Sequence, residues 1–131
     1  MTNYFSSDFT LGILGGGQLG KMLLYETRKF DIATHVVDPN PQAPARLAAN
    51  HFEVGDLLDF DTVYNFGKKC DVLTFEIETV NVDALEKLEA EGIKVYPSPQ
   101  TLRLIQDKGI QKEFYTKHNI PTAAFAKYNT K

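Results

Sequence analysis

A glycine-rich turn between an apolar run and an amphipathic stretch constrains the fold of this chain more than any other feature. The apolar run covers residues 9–14, and residues 15–20 then read Gly-Gly-Gly-Gln-Leu-Gly. Apolar side chains recur at helical spacing after the turn, at Leu19, Met22, Leu23 and Phe30. This succession predicts a strand, a tight turn and a helix, which is the first unit of a doubly wound α/β fold.

The rest of the chain continues this alternation of short apolar runs and amphipathic stretches. We expect further strands at residues 33–37, 51–54, 71–75 and 93–96, and further helices at residues 59–69, 82–91, 101–106 and 107–118. Asp59 or Asp61 would cap the helix that turns Val63 and Phe66 inward. The pattern predicts a three-layer, Rossmann-like α/β domain with a mostly parallel five-stranded sheet.

The sequence changes character after the Pro-Ser-Pro segment at residues 97–99. A Lys-rich helix follows, and an extended run is expected to start at Ile120 and reach Lys131. Because one helix and one strand cannot bury a core of their own, this part is expected to be incomplete. We therefore expect one domain over residues 1–106 and the beginning of a second domain over residues 107–131.

Composition excludes several classes of function. The 131 residues carry 14 Lys and Arg against 17 Asp and Glu, without a basic cluster, so no nucleic-acid partner is expected. No apolar stretch is long enough to span a membrane, and we expect a soluble, cytoplasmic protein. The single cysteine, Cys70, is expected to be a small buried side chain, and the three scattered histidines have no metal-ligand spacing.

The glycine turn satisfies G-x-G-x-x-G directly after a strand, where main-chain N–H groups and the helix dipole attract anions. Gln18 stands at the mouth of this turn and can hydrogen-bond a ligand through its amide. Asp38 ends the second strand, near the position where an acid holds a ribose hydroxyl in dinucleotide sites. An NAD-binding oxidoreductase domain using Gly15, Gly17, Gly20 and Asp38 is therefore one alternative.

Glu76 and Glu78 follow the fourth strand at alternate positions, and extended geometry would send both side chains to the same side. Two carboxylates beside an anion site would repel a pyrophosphate. They favour a ligand that combines one phosphate with hydroxyls and an amine. For Glu78, stabilisation of the following helix N-terminus is the alternative.

Five ordered segments together resemble the N-terminal region of the carboxyaminoimidazole ribonucleotide synthases, ATP-grasp ligases of purine biosynthesis. These segments are residues 11–22 (LGILGGGQLGKM), 38–39 (DP) with 43–45 (APA), 74–80 (TFEIETV), 97–99 (PSP) and 106–108 (QDK). The resemblance runs from about residue 9 to the end of the sequence. It implies a fold of the pre-ATP-grasp type, followed by the start of an incomplete ATP-grasp domain.

The resemblance also implies a reaction. ATP activates bicarbonate as carboxyphosphate, and the amine of aminoimidazole ribonucleotide is then carboxylated, with release of ADP and phosphate. ATP and Mg²⁺ would serve the intact enzyme, which would form a homodimer, and no covalent protein nucleophile is expected. The glycinamide ribonucleotide transformylases share much of the layout, but Gln18 in place of a glutamate favours the synthases. A regulatory or assembly module is the non-enzymatic alternative.

The residues of the turn and the two acids, together with the resemblance, give the following candidate site, in which the resemblance itself implies Gln18, Glu76 and Lys108. The ribonucleotide would contact the glycine turn at Gly16, Gly17, Gln18 and Leu19, together with Glu76, and secondarily Asp38 and Glu78. Lys108 would contact ATP. Lys21 and Lys108 stand where members often carry arginine, which keeps the charge but not the bidentate geometry. The ATP-grasp core of the family lies beyond Lys131, so this chain alone is expected to be inactive and to bind no complete Mg-ATP.

Overall fold

A single five-stranded sheet forms the centre of the computed structural model, which describes residues 6–128. The strands are β1 (Thr10–Leu14), β2 (Ala33–Asp38), β3 (His51–Val54), β4 (Val72–Phe75) and β5 (Lys94–Val95). They lie in the order β3-β2-β1-β4-β5, and each neighbouring pair is parallel. The predicted α/β class and five-stranded sheet are confirmed.

Helices connect the strands, and two more follow β5, where the amphipathic stretches predict them. They are α1 (Gln18–Thr27), α2 (Phe60–Gly67), α3 (Val82–Ala90), α4 (Pro99–Gln106) and α5 (Lys108–Lys117), with 3₁₀ turns at Arg28–Phe30 and Pro44–Leu47. Of the two expected caps of α2, Asp59 is the one used, and its carboxylate accepts the Thr62 N–H at 2.7 Å. No helix in residues 6–128 is long and apolar enough to cross a lipid bilayer.

Two hydrophobic clusters pack against the two faces of the sheet. Strand alternation sends Ile13 and Val36 to the face covered by α1 and the Pro44–Leu47 turn. Leu14 and Val37 point to the opposite face, which α2, α3 and α4 cover. Val63 and Phe66 of α2 are buried there as predicted, and so is the free thiol of Cys70. The sheet is therefore the middle of three layers.

The buried face of α1 differs from the face that its large side chains predict. Leu19 and Met22 are 63% and 54% exposed, while Gly20, Leu24 and Thr27 are buried. A Cβ at Gly20 would lie 2.6 Å from the main-chain oxygen of Gly15. Close approach of the helix to the glycine turn therefore sets its rotation, and Leu19 and Met22 are left facing outward, while Leu23 packs against the hydrophobic cluster.

The extended run expected from Ile120 forms no strand in residues 120–128, and residues 129–131 lie outside the described part. Pro121 lacks the N–H that a strand pair requires. Side chains instead join this segment to α5, through a hydrogen bond from Lys112 to Thr122 and an ion pair of 2.6 Å between Lys127 and Glu113.

Candidate functional site

The sheet changes winding direction between β1 and β4. The chain leaves β1 towards β2 on one side, whereas β4 and β5 lie on the other side. Leu14 at the end of β1 is in register with Phe75 at the end of β4. The residues that follow these two strands therefore leave the sheet side by side, at the crevice where open α/β sheets bind ligands.

A depression of about 240 Å³ opens at this crevice. We call it the switch-point depression, and its lining residues are Gly17, Gln18, Leu19, Asp38, Glu76 and Ile77. It brings together Gln18 and Glu76, which are 58 positions apart in the sequence, with Leu19 and Asp38 beside them. Five of the residues singled out in the sequence thus meet at one place.

The conformation of the glycine turn depends on the residues packed against it. Gly15 has a φ of 103°, and a Cβ there would lie 2.4 Å from a methyl carbon of Ile77. The Gly15 N–H donates to the Val37 carbonyl at 2.9 Å, and the Ala45 N–H donates to the Gly16 carbonyl at 2.9 Å. Strand β2 and the loop after it therefore hold the turn in place.

Asp38 is hydrogen-bonded on both carboxylate oxygens. Its Oδ2 accepts the Gly16 N–H at 2.6 Å, and its Oδ1 accepts the Asn40 N–H at 2.8 Å. The Gly16 N–H that the sequence assigns to a ligand is therefore already bonded to an acid of the protein.

The N-terminus of α1 has no side-chain cap. Gly17 occupies the N-cap position, the first turn contains no acid, and the main-chain N–H groups of Gln18 and Leu19 find no acceptor in residues 6–128. The four other α-helices of the described chain each have a side-chain acceptor, at Asp59, Asn81, Ser98 and Asp107. The positive end of α1 therefore faces the switch-point depression with open donors.

Glu76 and Glu78 are not part of an extended strand, but both line a small pocket of about 170 Å³ against Leu102 and Ile105. The backbone bends over residues 76–78 directly after β4, so the strand alternation ends at Phe75. Of the two acids only Glu76, which is half-buried, lines the switch-point depression. Capping of α3 by Glu78 is also not observed, because Asn81 accepts the Ala84 N–H there at 2.9 Å.

Glu78 instead pairs with Lys108. Its Oε2 lies 2.8 Å from the Lys108 Nζ, and both side chains are exposed. Glu78 also lines a larger cavity of about 690 Å³ beside the switch-point depression, together with Leu58, Ile77, Thr79, Val80 and Gln106. Lys108 does not line the switch-point depression, so the structure separates it from Gln18 and Glu76.

Two lining residues were missed in the sequence. Ile77 packs over Gly15 and borders both cavities. Gln106 donates from its Nε2 to the carbonyls of Glu78 and Val80, at 2.7 and 2.9 Å, and so ties the end of α4 to the loop after β4. In the sequence, the only indication of a role for Gln106 is that it belongs to the Gln-Asp-Lys segment at residues 106–108.

The remaining titratable groups do not add a reactive side chain to this edge. Burial, with a contribution from Asp71, raises the pKa of the Cys70 thiol to about 12, so the thiol stays protonated. In residues 6–128 no group of three or more His, Cys, Asp or Glu side chains is placed to hold a metal ion. The groups that line the switch-point depression are the main-chain N–H donors of α1, the Gln18 amide and the carboxylates of Asp38 and Glu76.

Comparison with known proteins matches residues 9–106 to the ribonucleotide synthetase preATP-grasp domain. The phosphoribosylaminoimidazole carboxylase of Ogataea methanolica is 43% identical over 118 residues, which cover 87% of this chain and 22% of that protein. The N5-carboxyaminoimidazole ribonucleotide synthase of Aquifex aeolicus is 38% identical over 117 residues, covering 88% of this chain and 30% of that protein.

Among solved structures, the chain is similar to the N5-carboxyaminoimidazole synthase of Aspergillus clavatus in complex with ADP and 5-aminoimidazole ribonucleotide. The TM-score is 0.80 at 39% identity, and the match covers 88% of this chain and 31% of that one. The chain thus spans between about a fifth and a third of the length of these relatives.

Proposed function

Because this chain belongs to the family of ribonucleotide synthetase preATP-grasp domains, we propose that it is the ribonucleotide-binding part of a carboxyaminoimidazole ribonucleotide synthase. Its ligand would be 5-aminoimidazole ribonucleotide, which the Aspergillus clavatus relative holds in its complex. The reaction would carboxylate the exocyclic amine of this ligand at the expense of ATP and bicarbonate.

The meeting of Gln18 and Glu76 in one depression carries this proposal. On one side of the depression the N-terminus of α1 offers uncapped N–H donors, and on the other side Glu76 offers a carboxylate. An aminoimidazole ribonucleotide has a phosphate for the first and hydroxyl and amine donors for the second. The charges of ligand and site are therefore complementary at both ends.

Each group of the depression has a distinct part in the proposal. The phosphate would accept hydrogen bonds from the N–H groups at Gly17, Gln18 and Leu19, where the helix dipole adds to the attraction. The Gln18 amide would hydrogen-bond the same ligand at the mouth of the turn. The Glu76 carboxylate would accept from the ribose hydroxyls or from the amine, and so orient the nucleotide.

In the proposed reaction bicarbonate attacks the γ-phosphorus of ATP, giving carboxyphosphate and ADP. The amine nitrogen of the ribonucleotide then attacks the carboxyl carbon of carboxyphosphate, the bond from that carbon to the phosphate oxygen breaks, and the amine loses a proton. No side chain of the protein forms a covalent bond in this sequence. The contribution of this chain is to hold the amine in position for the attack.

Lys108 is the residue of this chain that we propose for contact with ATP. It begins α5, just beyond the region of the family match, and its present partner Glu78 is an exposed acid. An exposed pair of this kind is worth at most about 1 kcal/mol, so the lysine can exchange Glu78 for a phosphate. The relatives are longer than this chain, and residues in their additional length would hold Mg²⁺ and make the remaining contacts to ATP. We propose that the 131 residues alone do not hydrolyse ATP, which a phosphate-release assay on the purified chain would test.

Replacing Glu76 by glutamine in the protein that carries this chain tests the assignment of the depression. The change keeps the size of the side chain and removes the charge that receives the hydroxyl and amine donors. We expect the KM for 5-aminoimidazole ribonucleotide to rise about tenfold, as for the loss of a hydrogen bond to a charged group, with little change in the KM for ATP.

Glu26→Gln provides the matched control, because Glu26 lies towards the other end of α1 and forms only an exposed ion pair with Lys29. Initial rates measured while each substrate is varied separately give both KM values. An equal rise in the KM for ATP and for the ribonucleotide in the Glu76 variant would contradict the proposal.

A further inference from the structure

Asp38 occupies a donor of the glycine turn that a phosphate would otherwise use. Its carboxylate is half-buried at the end of β2 and accepts the Gly16 N–H at 2.6 Å. Its second oxygen accepts the Asn40 N–H at 2.8 Å. One acid thereby fastens the glycine turn to the loop that follows β2.

The donors that remain open follow Gly16 at the start of α1. The N–H groups at Gln18 and Leu19 have no acceptor within residues 6–128, whereas the Gly16 N–H is taken. The negatively charged Asp38 carboxylate therefore lies at one end of the row of N–H donors, and the Glu76 carboxylate lines the same depression. A second phosphate in the same place would lie against both carboxylates.

The size of the depression adds to this restriction. Its volume of about 240 Å³ lies below the range of roughly 300–1,000 Å³ usual for pockets that bury a drug-sized ligand. An opening of this size keeps a bound phosphate close to Asp38 and Glu76, which both line it.

From these observations we infer that Asp38 is a positioning and specificity-determining residue: it fixes the glycine turn through the Gly16 N–H and limits the anion bound there to a single phosphate. This inference rests on the proposed function, since it concerns the same ligand site. It gives Asp38 a role through the turn, without direct contact to the ribonucleotide.

The test compares Asp38→Asn and Asp38→Ala in the protein that carries this chain. Calorimetry measures binding of 5-aminoimidazole ribonucleotide, with inorganic phosphate and inorganic pyrophosphate as competitors. The asparagine retains an oxygen for the Gly16 N–H but removes the charge. In this variant we expect the affinity of pyrophosphate relative to that of phosphate to rise about five- to tenfold. An effect of this size is expected when one nearby charge is removed at a partly exposed site.

The alanine variant loses the hydrogen bond as well. We expect it to bind the ribonucleotide about tenfold more weakly than the parent, whereas Asp38→Asn should bind with an intermediate affinity. The alanine variant should also show faster amide exchange at Gly16. Asp56→Asn is the matched control, because Asp56 follows β3 and accepts the Leu58 N–H at 2.9 Å in the same two-residue pattern, but does not line the switch-point depression. That variant should bind all three ligands as the parent does.

The outcomes separate the inference from the proposed function. A parent protein that does not bind the ribonucleotide would overturn the proposed function, and the inference with it. A parent that binds the ribonucleotide, with an unchanged ratio of pyrophosphate to phosphate in Asp38→Asn and unchanged binding in Asp38→Ala, would overturn the inference alone.

Discussion

His35 is an ionisable side chain in the interior of the sheet. It is 8% exposed, lies in β2 opposite His51 of β3, and its ring is 4.9 Å from that of Phe66. Its Nε2 is 2.9 Å from Glu53 Oε1, and Lys69 binds the same carboxylate oxygen. Burial lowers the pKa of His35 below 6.5, and this outweighs the opposing effect of Glu53.

This lowered pKa predicts how stability depends on pH. Since the unfolded chain binds a proton at His35 more readily than the folded chain, the contribution is fully present above pH 6.5 and is lost as the pH falls through the folded pKa. We expect the free energy of unfolding to decrease from pH 6.5 to pH 5, and His35→Gln to remove part of that slope. Urea unfolding at several pH values measures it.

His118 gives the matched control for this experiment, because it is exposed after α5 and its replacement by glutamine leaves the core intact. Glu53 must be followed as well, since its own pKa is lowered by Lys69 and His35 although burial opposes the shift. A slope between pH 6.5 and 5 that is the same in the parent and in His35→Gln would show that the buried imidazole does not govern it.

At the scale of helices and strands, the sequence predicted the elements better than the directions of their faces. Strand positions follow from short apolar runs, most of them closed by glycine or proline, and these signals are local. The face that α1 buries is not a local property, because it depends on the contact between Gly20 and the Gly15 carbonyl, made across the turn. The positions of Leu19 and Met22 therefore gave a misleading pattern.

In the candidate site, too, local signals could be predicted from the sequence and contacts between distant segments could not. The neighbouring positions of Gln18 and Glu76 follow from the rule that parallel strands end at one edge, and the structure places both residues in one depression. The pairing of Glu78 with Lys108, outside the switch-point depression, could not be predicted, since it depends on a bend at residues 76–78 that Gln106 holds from another helix. Hydrogen bonds between distant segments have no periodic signal in the sequence.

Asn81 connects two elements and gives a prediction at this scale. Its Oδ1 caps α3 by accepting the Ala84 N–H, and its Nδ2 donates to the Leu58 carbonyl, each at 2.9 Å. Its main-chain N–H also donates to the Leu57 carbonyl at 2.8 Å. We expect Asn81→Ala to lower the free energy of unfolding by about 1–2 kcal/mol, because a cap and a loop contact are lost together.

Two further variants separate the contribution of the cap from that of the contact with Leu58. Asn81→Asp keeps the cap but loses the donor to Leu58, and it should fall between the parent and the alanine variant. Ser98→Ala removes the cap of α4, a hydrogen bond of 3.3 Å to the Thr101 N–H, and an exposed hydrogen bond to the Thr101 hydroxyl, and should cost about 0.5 kcal/mol. Urea unfolding curves of the three variants give the order, and an Asn81→Ala cost no greater than that of Ser98→Ala would refute the connecting role.

At the scale of the whole molecule, the chain divides into a part with a core and a part without one. Helix α4 places Leu102, which is 1% exposed, in the large hydrophobic cluster. Helix α5 has no buried residue, and apolar side chains from α5 and the segment after it remain exposed, among them Ile110, Phe114, Ile120 and Phe125. We propose that residues 1–106 form the folding unit and that residues 107–131 begin a second domain.

Removal of residues 107–131 tests this division. Since α5 buries no side chain and its pair between Lys108 and Glu78 is exposed, we expect a chain that ends at Gln106 to unfold in urea with a free energy within about 0.5 kcal/mol of the parent. Gln106 itself stays, with its two hydrogen bonds to the loop after β4. Because helix ends that bury nothing contribute little to the transition, the midpoint should barely move.

The matched comparison is Leu102→Ala in the chain that ends at Gln106. Leu102 lies in the core, so its truncation should cost about 2–5 kcal/mol, the usual range for a buried leucine. If removing residues 107–131 destabilised the chain as much as that substitution does, the C-terminal segment would have to share the first core and the boundary at residue 106 would be wrong. If only the core substitution lowers the free energy of unfolding, the exposed apolar side chains of α5 do not belong to the first core. They would then pack in a second core, which residues 6–128 do not form.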